Sequence, residues 1–183
     1  MLFRSAERRD LYIDDQGALT LHQVSAKARN MARKHKIQVL FVDYLQLMSG
    51  TDAKSMRAYQ LEEIMRGFKA LAKSMQICVV ALAQVNRKVE GEMPGLSDLK
   101  DSGSIEQDAD VVAFIHRAIQ VDPTLGDDWK FYASLRIAKN RQGRTGDIDL
   151  SYIGEETRFG AWSGPKPSKP GKTVQSTRAG TKL

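Results

Sequence analysis

Val39-Leu40-Phe41-Val42-Asp43 is a run of four apolar residues closed by a carboxylate. A strand with one wet face alternates apolar and polar residues, so an uninterrupted run predicts a strand buried on both faces of a parallel sheet. Before it, Leu21, Val24, Ala28 and Met31 recur at helical spacing behind Thr20, with basic residues gathering toward Lys36. That pattern predicts an amphipathic helix with Thr20 as its N-cap. After it, a polar loop over 49–55 leads to Leu61, Ile64, Met65, Phe68, Leu71, Ala72 and Met75, one face of a second helix. Residues 77–83 form another apolar run, ending at Gln84. Upstream, Leu11-Tyr12-Ile13 reads as a short strand that stops at Asp14 and Asp15, with Gly17 turning the chain. Strand, helix, strand, helix, strand predicts an α/β sheet with right-handed crossovers and helices on both faces.

The pattern changes beyond Gln84. Residues 85–103 are polar, carry Gly91, Pro94 and Gly95, and show no sustained period, which predicts a long loop of the functional kind. Val111-Val112-Ala113-Phe114-Ile115 predicts a fourth buried strand. Residues 131–138 and 148–152 predict two more, joined through Lys139-Asn140-Arg141-Gln142-Gly143-Arg144-Thr145-Gly146 as a hairpin with a charged tip. There is no internal repeat.

The whole chain has 183 residues, a length suited to one ordinary core, with 42% hydrophobic and 27% charged residues. Its apolar runs are too short to span a bilayer, and Met1-Leu2-Phe3-Arg4 opens no signal-peptide core. The single cysteine, Cys78, sits in an apolar run and can build neither an internal disulfide nor a Cys/His zinc site. A cytoplasmic protein is expected. The formal charge of +6 is concentrated at the end: Lys166, Lys169, Lys172, Arg178 and Lys182 lie in 164–183 without an acid, leaving +1 for the rest. The division expected is therefore a folded part over 1–163 and a basic, disordered tail over 164–183. A solubilising end and a nucleic-acid contact are both open readings of that tail.

Ligands of α/β sheets bind outside the carboxyl ends of the strands, where Asp14, Asp43 and Gln84 are expected. Asp43 fits the strand-terminal carboxylate that holds the magnesium ion of a bound nucleoside triphosphate, and equally a cap or turn former. Gln84 suits a residue that orients water or senses a γ-phosphate, or one that merely closes a strand. Four strings then occur in order. They are Leu40-Phe41-Val42-Asp43-Tyr44-Leu45-Gln46-Leu47-Met48, Val80-Ala81-Leu82-Ala83-Gln84-Val85-Asn86-Arg87, Ser97-Asp98-Leu99-Lys100-Asp101-Ser102-Gly103-Ser104-Ile105-Glu106-Gln107-Asp108-Ala109-Asp110 and Ala138-Lys139-Asn140-Arg141-Gln142-Gly143. Together they resemble the C-terminal RecA-like motor domain of the DnaB-type replicative DNA helicases, from about Leu11 to about Trp162.

That resemblance implies a partial RecA-like, P-loop NTPase-type α/β fold with a mostly parallel sheet, flanking helices and a C-terminal β-hairpin region. It implies ATP and Mg2+ as ligands of the intact family, with Asp43 as the Walker B magnesium ligand and Gln84 coupling the γ-phosphate to the DNA-binding loop. It implies that Lys100, Asp101 and Gly103 touch the backbone of single-stranded DNA. Lys139 and Arg141 would reach into a neighbouring subunit's ATP site within a hexameric ring, Arg141 as arginine finger. Without the other motifs, the pair would read as a solvated hairpin tip. A glycine N–H can approach a phosphate where a side chain would clash, and a guanidinium placed in trans neutralises charge developing on the γ-phosphate.

The sequence departs from the family in one telling way. A phosphate cradle needs Gly-x-x-x-x-Gly-Lys-Ser/Thr between a strand and a helix, and none precedes Asp43; Gly171-Lys172-Thr173 has Lys166 where the first glycine belongs. The strand with the family's catalytic glutamate, the N-terminal domain and the linker helix have no counterpart either. The resemblance thus implies a piece of an ATP-dependent helicase, from a split or truncated gene product or a cut chain, without ATPase activity alone. The other reading is a non-enzymatic module that binds or regulates an intact helicase.

Overall fold

The computed structural model describes residues 11–50, 52, 55–85, 93–99 and 103–168, with the side chain of Ser104 excepted. The chain divides into two compact units, Met1–Gln84 and Val85–Leu183.

In the first unit, helix α1 (Leu21–His35) starts at Thr20, whose hydroxyl accepts from the Gln23 N–H while the Gln23 side chain accepts from the Thr20 N–H. This reciprocal box satisfies two amides that an open helix end leaves bare. The helix stops where Lys36 turns left-handed, with φ of 55°. Strand β1 (Val39–Val42) leads through a turn at Leu45–Leu47 to helix α2 (Arg57–Met75), and strand β2 (Cys78–Ala81) returns parallel to β1, Val39 opposite Cys78 and Val42 opposite Ala81. Leu61, Ile64, Met65, Phe68 and Leu71 of α2 are buried as their spacing predicts, and Leu45 beneath the turn is fully buried with them. Gly67 lets the two helices approach: a methyl group built there would stand 2.2 Å from Leu21 Cδ2.

Two expectations for this unit fail. Leu11-Tyr12-Ile13 forms no strand; it is exposed coil without a ladder partner among the described residues. Asp14 therefore does not stand at a strand end. It caps a local turn, accepting from the Gln16 N–H at 3.1 Å and pairing with Lys27. Strand β1 is also not buried on both faces, since Phe41 is 65% exposed and Val39 42%. The apolar run marks a strand that could be covered twice; the described residues cover it once.

In the second unit, helix α3 (Gly103–Asp108) precedes strand β3 (Val111–His116), and a one-turn helix α4 (Ala118–Val121) and a turn at Asp127–Trp129 lead to strands β4 (Tyr132–Asn140), β5 (Gly146–Ile153) and β6 (Arg158–Ala161). The four strands form one antiparallel sheet in the order β3-β4-β5-β6. The fourth buried strand expected at 111–115 is thus half-buried: Val112 and Phe114 are covered while Val111 and Ile115 are more than half exposed. Its outer face is also apolar, which hid the alternation. The hairpin forms as predicted but with longer arms, so Lys139 and Asn140 lie within β4 and Gly146 opens β5 with φ of 152°. Lys139 is accordingly a strand residue opposite Val112, beside an irregularity in the β3–β4 ladder, and not part of the tip. A satellite core of Ala118, Leu125, Trp129 and Tyr132, with Trp162 against it, closes one end of the sheet.

Candidate nucleotide and finger residues

Asp43 directly follows β1, and Gln84 lies just past β2, which ends at Ala81 and not at 83 as the apolar run predicts. Pairing continues past the named strands: the Leu82 N–H donates to the Val42 carbonyl and the Leu45 N–H to the Leu82 carbonyl, each at 2.9 Å. Asp43, Tyr44, Leu82, Ala83 and Gln84 consequently line one open depression of about 330 Å³ at the carboxyl end of the parallel pair. The sheet end thus brings together two of the three residues expected there. Both side chains are exposed. The Asp43–Tyr44 peptide bond is cis.

Sequence reasoning missed what holds this end in place. The Gln46 side chain donates to the Gln84 carbonyl at 3.2 Å and accepts from the Gln84 N–H at 3.3 Å. This closed amide pair uses the backbone of Gln84 and none of its side chain. The turn itself is tied to α2 by Arg57, which donates to the carbonyls of Met48 at 2.8 Å and Leu45 at 3.0 Å and to Gln60 Oε1 at 2.9 Å. Gln60, buried on the same helix, donates onward to the Ser55 carbonyl at 2.9 Å. Gln60 lies three residues after Arg57, and that helical spacing was the only available signal.

In the second unit, Lys139 donates to the carbonyls of Glu106 and Gln107, and Arg141 donates to that of Gln107. Arg141 also lies 3.7 Å from Asp110 Oδ1, and its N–H donates to the Asp110 carbonyl at 2.9 Å. Both cations therefore meet the carboxyl end of α3, where helix carbonyls lack backbone donors. Gly103 is the first residue of that helix, and no described atom crowds the place of its missing Cβ. Lys100 and Asp101 lie outside the described residues. A wider depression of about 510 Å³ in this unit holds Arg136 and Asp147, which bind each other at 2.8 and 2.9 Å.

Among the described residues no three His, Cys, Asp or Glu side chains converge on a metal position. A lone exposed carboxylate still fits magnesium, which commonly takes one or two protein carboxylates and completes its shell with substrate phosphates and water. No described helix is long and apolar enough to cross a membrane.

A strand-end carboxylate and glutamine on a parallel pair, with a separate antiparallel hairpin carrying cations, define part of a RecA-like ATPase domain. Residues 2–161 match the family model described as the DnaB-like helicase C terminal domain, and the chain belongs to that family. It is 42% identical over 167 residues to the replicative DNA helicase DnaB of Rickettsia typhi (strain ATCC VR-144 / Wilmington), covering 81% of this chain and 34% of the relative. It is 41% identical over 164 residues to that of Buchnera aphidicola subsp. Schizaphis graminum (strain Sg), covering 87% and 35%. Among solved structures it resembles an ATPase domain, with a TM-score of 0.73, 33% identity and coverage of 80% of this chain and 52% of that one. It also resembles a DnaB-like replicative helicase described with its interactions with primase, with a TM-score of 0.74, 33% identity and coverage of 80% and 36%. The chain spans about a third of the length of the curated relatives it matches.

Proposed function

We propose that these residues form the later part of a replicative helicase motor that uses ATP to move single-stranded DNA through a hexameric ring in the cytoplasm. Asp43 is its Walker B residue and would hold Mg2+, which draws charge from the phosphates during transfer. Gln84 senses the γ-phosphate and passes its position to the DNA-binding segment that follows. Lys100, Asp101 and Gly103 contact the DNA backbone. Lys139 and Arg141 complete the ATP site of a neighbouring subunit, with Arg141 as the finger. The observation that carries this reading is the meeting of Asp43 and Gln84 at one sheet end, with the backbone of Gln84 fixed by Gln46. A side chain whose own backbone is anchored can report the position of a ligand without first having to order its loop.

The 183 residues alone contain no phosphate cradle before Asp43, so the purified chain hydrolyses no ATP while its trans residues remain. Mixed with an intact helicase of the family, the chain and its Arg141→Ala variant should give different ATPase rates in rings whose co-assembly is shown by crosslinking. Fingers contribute roughly a thousandfold or more to turnover at the site they serve. Equal rates in crosslinked mixed rings would remove Arg141 from the role. ATP turnover by the chain alone, abolished in Asp43→Ala, would overturn its dependence on a separate cradle.

A further inference from the structure

Lys139 and Arg141 do not extend freely from the hairpin. Three of their bonds end on the Glu106 and Gln107 carbonyls, and Asp110 faces Arg141 with both its carbonyl and its carboxylate. The last α3 carbonyl that receives a described backbone N–H is that of Ile105, from Ala109 at 3.1 Å. The two cations therefore supply donors to the Glu106 and Gln107 carbonyls, to which no backbone N–H is described as donating. Lys139 spends two of its three ammonium donors on these carbonyls and Arg141 aims a terminal nitrogen at one, so a phosphate gripped by more than one donor of Lys139, or by that same nitrogen of Arg141, draws on groups the helix uses.

We propose that the carboxyl end of α3, together with Asp110, is the resting dock of Lys139 and Arg141, and that phosphate competes with this dock for both cations. Asp110 is then a positioning residue, holding the finger through its main chain and its charge at once. Release of the cations takes these donors from the Glu106 and Gln107 carbonyls in the last turn of α3. That helix begins at Gly103, itself one of the residues proposed to meet DNA, so engagement of a phosphate by the cations at one end of α3 loosens the element that starts at the other. Naming phosphate as the competitor rests on the function proposed above; the dock itself does not.

Hydrogen exchange on the full chain tests both parts. Removing the donors in Lys139→Ala/Arg141→Ala should speed exchange of the Gln107, Asp108 and Ala109 amides by roughly three- to tenfold, as expected for losing a few exposed charge-assisted bonds. Amides of β5 should not change, which shows that the sheet is intact. Unchanged exchange at 107–109 in a folded variant overturns the dock. The second measurement needs no variant: inorganic tripolyphosphate added to the wild-type chain should speed exchange at the same amides, beyond a sodium chloride control of equal ionic strength. No change, or added protection, overturns the competition and does so even if the double variant fails to fold. Mixed-ring ATPase rates that ignore Arg141 while these exchange results hold would remove the finger role and leave the dock standing. The reverse pattern would do the opposite.

Discussion

The two units tie their sheets in place with different chemistry. In Met1–Gln84 the site is held by amide and guanidinium donors on carbonyl oxygens, from Gln46 to Gln84 and from Arg57 to Leu45 and Met48, above a core centred on Leu45, Leu61 and Ile64. None of those bonds needs a carboxylate. In Val85–Leu183 Lys139 and Arg141 likewise donate to carbonyls, but the sheet itself is stitched by carboxylates: Asp149 accepts from the Tyr132 hydroxyl at 2.5 Å, Asp147 grips Arg136, and Asp110 faces Arg141. The difference teaches that the first unit should depend on apolar packing and ignore pH, and the second should respond to pH at both ends of the scale.

The largest effect expected is in the first unit's core. Ile64 has no exposed surface, so Ile64→Ala removes buried methylenes and leaves a cavity, costing about 2–5 kcal/mol. Denaturant unfolding, followed by exchange of α2 amides, would show it. Phe41→Ala, at a side chain 65% exposed, should cost well under half as much, and equal losses would mean that β1 is covered after all. Arg57→Ala comes next. It removes one donor each from the Met48 and Leu45 carbonyls and from buried Gln60, of which Leu45 keeps the Met48 N–H at 3.1 Å and Gln60 that of Gly50 at 3.4 Å; the loss, about 1–3 kcal/mol, should be the same at pH 5 and pH 8. A pH-dependent loss would break the comparison.

The second unit gives the titrating counterpart. Burial, and then the bond to Asp149, push the Tyr132 hydroxyl far above the usual tyrosine value. Its folded state favours the neutral form, so its contribution is complete below about pH 10 and is lost as pH rises beyond that toward the folded value. Tyr132→Phe should cost about 0.5–1.5 kcal/mol near neutrality and flatten the alkaline fall in stability. The bond to Arg136 holds Asp147 below the usual carboxylate range. That contribution is present above about pH 4 and disappears as pH falls through the lowered value. Both partners are about a third exposed, so Arg136→Ala should cost about 0.2–1 kcal/mol, visible in denaturant midpoints compared at pH 7 and pH 2.5.

Periodicity made the helices legible. Thr20 announced the start of α1, and the buried stripe from Leu61 to Leu71 is the stripe observed. The ordered strings around Asp43, Gln84 and Arg141 carried the family, because a carboxylate after an apolar strand means little until the other strings follow at their places. What stayed hidden were relations that no local pattern encodes. An apolar run reports the burial a strand can accept, and Phe41 and Val111 show that the cover can be absent from the described residues. The short run at Leu11 has no ladder partner among the described residues, which composition does not reveal. The Arg57–Gln60 spacing was the one local signal of the site's supports; the bonds from Gln46 and Arg57 to backbone groups, brought close by the turn after β1, left none. The dock of Lys139 on α3 spans 33 residues of sequence.

The smallest effect concerns a carboxylate in the unit expected to ignore pH. The bond from Lys27, and then that from the Gln16 N–H, hold Asp14 below the usual carboxylate range. Sign alone would give this pair the acid dependence described for Asp147: stabilising above the unfolded value and lost as pH falls through the folded one. Exposure decides otherwise, since Lys27 and Asp14 keep 39% and 49% of their side-chain surface, and solvent and the entropy of two mobile side chains erase most of such a gain. The expected outcome therefore separates titration from stability. Carboxyl NMR should place the Asp14 midpoint below that of an ordinary aspartate and return it toward normal in Lys27→Ala, while the denaturant midpoint of the α2 amides stays within error of the wild type at pH 7 and at pH 3. If Lys27→Ala instead lowers that midpoint at pH 7 and not at pH 3, the surface pair carries real stability, and the pH-indifference assigned to the first unit fails at its amino-terminal end.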